Sequence, residues 1–218
     1  MTLPNATLFP QALLPLYIFE SRYRRMLSDV LQSHRMFTVA LQKPGLKRER
    51  PAAIAGLGLI RAAVKHSDGT SHLILQGISR VELSDTVRYR PYRVQRVRPL
   101  QPPPCDNVHT DALVLEVRDL LAQRFQLGLP LPFPGAAKPT ETGDDKPKSS
   151  TQLSGQEILD YLDKLANPEH IADLVSCALL QAPSERQTIL ETVNVEARLR
   201  QLIHFLLEDL RRRKEEAD

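Results

Sequence analysis

The residues of this 218-residue chain with the most reactive chemistry are six histidines and two cysteines. Neither set has the spacing of a reactive or metal centre. His34, His66, His72, His109, His170 and His204 are scattered, and none falls in a His-Glu-x-x-His or a Cys/His zinc pattern. His66 and His72 flank the Asp68-Gly69 turn, a placement that predicts a polar pair across a hairpin rather than a metal site. Cys105 follows three prolines and Cys177 sits in an apolar stretch, so both read as inert thiols. There is no Gly-x-x-x-x-Gly-Lys-Ser/Thr to cradle a nucleotide. Gly56-x-Gly58 lacks the third glycine of a dinucleotide loop, and there is no Gly-x-Ser-x-Gly elbow. The sequence therefore predicts no catalytic residues, no cofactor and no metal, and a binding module is the default.

Two segments could bind something. Residues 88–98 hold five arginines, interleaved with Tyr89 and Tyr92. Arg88, Arg90, Tyr92, Arg93 and Arg96 are candidates for contacting phosphates and stacking on bases. The other reading of this segment is an exposed strand face with its tyrosines turned inward. The second segment is Leu13–Phe19, an apolar run broken by Pro15. Proline lacks the donor that a central strand needs, so this run reads as a strand near a sheet edge. Such an edge, with Leu14, Leu16, Tyr17 and Phe19, could capture an extended peptide. The other reading is a core strand.

Charge and proline divide the chain. Residues 1–105 hold 16 basic and 6 acidic residues, whereas residues 106–218 hold 13 and 20. Fifteen of the 17 prolines precede residue 150. Proline costs a helix interior about 3 kcal/mol, so the second half is free to form long helices. The first half offers short strands: 13–19, 36–41, 54–64, 72–76, 79–83 and 87–97. It also offers one helix, on which Tyr23, Met26, Leu27, Val30 and Leu31 share a face. Short strands with turn signals predict a small, partly closed barrel over residues 1–104. Residues 105–218 read as helical, with a first helix near 107–127, a proline-rich linker over 129–150 and a bundle over 154–213. Ser154–Glu157 and Ser184–Gln187 read as capping boxes, and Asn167-Pro168 and Asn194 as further helix starts.

Hydrophobic residues make up 42% of the chain, enough for a core, and no apolar run approaches the roughly 20 residues of a membrane span. Two distant cysteines and no basic-then-apolar leader predict a cytoplasmic protein.

Leu8 to Met26 (LFPQALLPLYIFESRYRRM) resembles the opening motif of the Lon protease N-terminal, substrate-binding domain, with Ser21 where proline is usual. Gly77-Ile78-Ser79-Arg80-Val81 is similar to that family's later Gly-x-x-Arg strand. Ile171 to Leu174, continuing through Gln187, and Asn194 to Leu199 are similar to its helical part, with Asn194 where aspartate is usual. The resemblance implies an α+β fold, a PUA-like β-barrel followed by a helical bundle. It implies a non-catalytic module that recognises unfolded or degron-bearing polypeptides, here in a stand-alone form without ATPase and protease, with full-length Lon as a possible partner. PUA-like barrels elsewhere bind RNA, which keeps the arginine segment as the alternative. Oligomeric state is not legible in the sequence.

Overall fold

The computed structural model describes residues 1–45, 49–104, 106–128 and 155–217. The 129–150 linker, Cys105 and Ser154 lie outside the described residues. Six strands come first: β1 (Thr2–Leu3), β2 (Leu13–Ile18), β3 (Met36–Leu41), β4 (Ile54–Lys65), β5 (Ser71–Arg88) and β6 (Val94–Pro99), with α1 (Ser21–Leu31) between β2 and β3. Five helices follow: α2 (Asn107–Gln126), α3 (Gly155–Asp163), α4 (Pro168–Leu179), α5 (Pro183–Glu191) and α6 (Val195–Ala217). The architecture is α+β.

The sheet runs β1-β3-β4-β5-β2, and β6 pairs with the far half of β5. β1 joins β3 in parallel, and the other pairings are antiparallel. Among the described residues no ladder joins β1 to β2, so the barrel is open along β2. β5 is one strand of 18 residues that runs through the suggested strands 72–76 and 79–83, and the suggested strand 87–97 is split between the end of β5 and β6. Register shifts against β4 at Leu57/Gly58 and Ile60/Ala62 bend the pair without ending it, as bulges do. α1 plugs the barrel with the face that its periodicity predicted. Tyr23, Met26, Leu27 and Val30 are buried with Leu8, Ile18, Phe37, Val39, Ile60, Leu73 and Leu75.

The helices gather around a second core. Val117, Leu120 and Leu121 of α2 meet Ile171, Val175 and Leu179 of α4 and the stripe Val195, Leu199, Leu202, Leu206 and Leu210 of α6. Asn167 Oδ1 accepts from the Glu169 N–H at 2.8 Å, and Asn194 Oδ1 from the Ala197 N–H at 2.9 Å, so both predicted caps form. The Ser184–Gln187 box does not. α5 starts two residues earlier than a Ser184 cap would place it, on Pro183 behind Ala182, because proline's fixed φ suits a first turn and needs no capped N–H. Gln187 then serves another purpose, donating from Nε2 to the Ile54 carbonyl of β4 at 2.9 Å.

Strand and helix halves are joined by buried chemistry. Arg80 of β5 and Arg198 of α6 are 2% and 0% exposed and converge on Asp173 of α4, which is 1% exposed. Arg80 Nη1 donates to Asp173 Oδ2 at 2.9 Å and Nε to the Leu190 carbonyl at 3.1 Å. Arg198 Nη1 donates to Asp173 Oδ1 at 3.2 Å, Nε to the Thr192 carbonyl and Nη2 to that of Val193. Glu169 accepts from both guanidiniums. A desolvated charge persists only when its donors and acceptors are met, and this set meets them. The conspicuous Gly-x-x-Arg of the sequence is thus a tie between strand and bundle.

The Leu8-Phe9 motif is architectural as well. Leu8 belongs to the barrel core and Phe9 to the bundle core. Their backbone presses on β4 and β5 so closely that a Cβ at Gly56 would overlap the Leu8 carbonyl, and one at Gly77 the Phe9 carbonyl. The Gln11 N–H donates to the Gly77 carbonyl at 2.9 Å, and the Gly77 N–H to that of Ala12 at 2.8 Å, holding the segment against the sheet.

Candidate functional site

β2 is the terminal strand of the sheet, and its pleat sorts the Leu13–Phe19 residues onto two faces. Leu14 and Leu16 are half-buried against the barrel core and Ile18 is fully buried. Leu13, Tyr17 and Phe19 are 60%, 47% and 61% exposed. The four candidates Leu14, Leu16, Tyr17 and Phe19 divide between these faces. Tyr17 and Phe19 lie outside, and Leu14 and Leu16 support them from within.

The outer face continues across the sheet. Directly paired residues point to the same side, so Pro15 lies beside Ile74 and Ile74 beside Ala62, while Tyr17 lies beside His72 and His72 beside Val64. Ile74 and Val64 are 39% and 61% exposed. This makes a contiguous apolar surface from three strands, of the kind that marks an interaction site. An aromatic row borders it. Phe19 stacks on Tyr17 at 5.8 Å between centroids, Tyr17 meets His72 at 4.7 Å, and His72 meets His66 edge-on at 4.9 Å. His66 Nε2 and His72 Nδ1 share a hydrogen bond of 2.7 Å, the hairpin pair that the Asp68-Gly69 turn predicted. Thr70 closes that turn on Asp68, its N–H donating to Oδ1 at 2.9 Å.

The arginine segment is placed differently. It forms the connection from β5 to β6 and much of it is tied internally. Arg88 Nη2 donates to the Tyr92 hydroxyl at 3.1 Å, and that hydroxyl donates to Asp29 Oδ2 of α1 at 2.8 Å. Partial burial, with the Asp29 carboxylate close by, pushes the Tyr92 phenol above its usual range. Arg93 Nη2 donates to the Glu49 carbonyl at 2.8 Å and its guanidinium lies 5.6 Å from the Tyr89 ring centre. Arg98 is paired with Glu82. Arg90 and Arg96 stand in solvent. Among the described residues no group of three or more His, Cys, Asp or Glu side chains is gathered as metal ligands, and no helix is long and apolar enough to cross a membrane.

Sequence reasoning missed Ile74, Ala62 and Val64, because nothing local says which neighbours β2 will have. The one signal was the placement of Tyr17 and Phe19 on the parity of Pro15.

The sequence profile of the ATP-dependent protease La (LON) substrate-binding domain matches residues 1–208. The chain is 23% identical over 215 residues to the Lon protease of Desulfosudis oleivorans, covering 94% of this chain and 24% of that protein. It is 26% identical over 182 residues to the Lon protease of Phenylobacterium zucineum, covering 82% and 20%. The chain therefore spans about a fifth to a quarter of the length of these relatives. Among solved structures, the N-terminal domain of Mycobacterium avium complex Lon protease superposes with a TM-score of 0.69 at 17% identity, covering 94% of this chain and 95% of that one. A Lon N-terminal domain protein from Xanthomonas campestris gives 0.60 at 21%, with the same coverage. These likenesses show the fold, and the profile match agrees with the resemblance carried by the Leu8–Met26 motif. The chain belongs to the family of LON substrate-binding domains.

Proposed function

We propose that this chain is a non-catalytic polypeptide-recognition module whose outer β2–β5–β4 face holds apolar segments of unfolded or degron-bearing proteins. In this reading it acts as an adaptor or regulator in protein quality control, alongside the Lon protease. The observation that carries it is the row Leu13, Pro15, Tyr17 and Phe19, left in solvent on the terminal strand and continued by Ile74 and Val64. Family membership supports it, since the family is defined by substrate binding.

Recognition by such a face is shallow. Tyr17 and Phe19 offer rigid aromatic area at low entropy cost, and the sheet beneath them is already ordered. The free edge of β2 adds a short ladder at most, interrupted where Pro15 has no N–H to give. Affinity for one segment is then weak and rises when a client offers several.

The test is fluorescence anisotropy with a labelled, permanently unfolded model protein. Binding in the micromolar range, insensitive to salt, and weakened at least tenfold by Tyr17→Ser with Phe19→Ser supports the reading. Absence of binding at high micromolar concentration, or binding indifferent to both substitutions, overturns it. A steep loss of affinity with salt points instead to phosphate-type contacts by Arg90 and Arg96.

A further inference from the structure

A second surface is concave. Between α1, the segment after β3 and the β5–β6 connection lies an open cleft of about 1240 Å³. The buried part of its lining mixes apolar Met26, Ala40 and Ala52 with Thr2 and Tyr23, whose polar groups are bonded to each other. Its accessible part is cationic and aromatic, with Lys43, Arg50, Arg93 and Tyr89. The cations differ in how far they are neutralised. Arg22, which also lines the cleft, donates to Glu20 Oε2 at 2.8 Å and to Glu49 Oε2 at 2.5 Å. One guanidinium thus faces two carboxylates, which leaves one negative charge over. Arg93 meets the Glu49 backbone carbonyl and the Tyr89 ring, and among the described residues Lys43, Arg50 and Arg93 have no carboxylate partner. Three cations therefore line the cleft against one surplus carboxylate, an excess of two positive charges. Charges gathered on a concave wall focus their field into the space they share.

We propose that this cleft is a second polypeptide site, which takes a short acidic segment carrying one large apolar side chain. The apolar side chain rests on Met26, Ala40 and Ala52. The flanking carboxylates meet Lys43, Arg50 and Arg93, where a guanidinium can bind a carboxylate bidentately. Three separated cations match two or three carboxylates. A nucleic acid strand, with a phosphate at every residue, needs a longer cationic track. Arg88 and Arg98 do not line the cleft and are already bonded to Tyr92 and Glu82.

This site shares no residue with the outer face of β2, so the two can be tested apart. The probe is a fluorescein-labelled decapeptide with three glutamates around a single phenylalanine, compared with its lysine-for-glutamate counterpart and a labelled oligothymidylate. The proposal expects the acidic peptide to bind at least tenfold tighter than the lysine peptide. It expects Lys43→Glu with Arg50→Glu, both solvent-exposed, to weaken it at least tenfold, while unfolded-protein binding that depends on Tyr17 and Phe19 is unchanged. Circular dichroism of the double variant confirms its fold. If it fails to fold, Lys43→Gln with Arg50→Gln takes its place. Acidic-peptide binding indifferent to these substitutions overturns the proposal. So does tighter binding of oligothymidylate that is lost in the same variants.

Discussion

Arg80 and Asp173 are separated by 93 positions in sequence, yet their side chains meet at 2.9 Å with almost no solvent on either. Arg198 reaches the same carboxylate from the other side. Removing one member leaves the others charged and buried. Arg80→Ala is expected to cost about 3–5 kcal/mol, and Asp173→Ala at least as much because two guanidiniums then face each other. Urea denaturation followed by circular dichroism measures both. Losses under about 1 kcal/mol would mean the cluster is far better hydrated than its burial indicates.

Gly77 and Gly56 carry the close approach of the Leu8-Phe9 segment. Gly77→Ala must push the Phe9 carbonyl away from the sheet, and a loss of about 1–3 kcal/mol or more is expected. Phe9→Ala, which empties a fully buried site, is expected to cost about 3–5 kcal/mol. Thermal melts of the two variants check the pair.

Tyr17 and Ile18 are neighbours with opposite duties. Ile18→Ala should lose about 2–5 kcal/mol of stability, because the residue is buried among α1 and barrel side chains. Tyr17→Ser should change stability by no more than about 0.5 kcal/mol while weakening client binding. A binding titration and a denaturation curve on each variant separate the two roles. Equal stability losses would show that Tyr17 is structural.

Cys177 is half-buried in α4, and burial pushes its thiol above the usual range, against the opposing pull of Arg186. In a Cys105→Ser background, Ellman's reagent at pH 8 should modify Cys177 at least about tenfold more slowly in the folded protein than in urea. Equal rates would place the thiolate in solvent.

Local order was the readable part of this molecule. The α1 face Tyr23, Met26, Leu27 and Val30 follows from helical spacing alone, and Asn167 and Asn194 cap their helices through bonds spanning two or three residues. Ser184–Gln187 misled because Pro183, one place earlier, satisfied the helix start and freed Gln187 to reach β4. β5 was split into pieces because Gly77 and the bulges beside it look like endings when the partner strand is not in view. The candidate site was half legible. Tyr17 and Phe19 were named with Leu14 and Leu16, but parity alone does not say which pair faces water until the barrel core claims one side. Ile74 and Val64 arrive from other strands. The ties of the arginine segment, Tyr92 to Asp29 and Arg93 to Glu49, likewise span 63 and 44 positions and leave no local trace.

Phe9 is fully buried in the same core as Val117, Leu121, Leu199 and Leu202 of α2 and α6. During synthesis that core is incomplete until about two hundred residues have been made. The amino-terminal segment must therefore wait, its aromatic ring unshielded, for α6 to leave the ribosome. A nascent chain halted before α6 is then expected to keep Phe9 exposed and to need a chaperone more than the finished protein does.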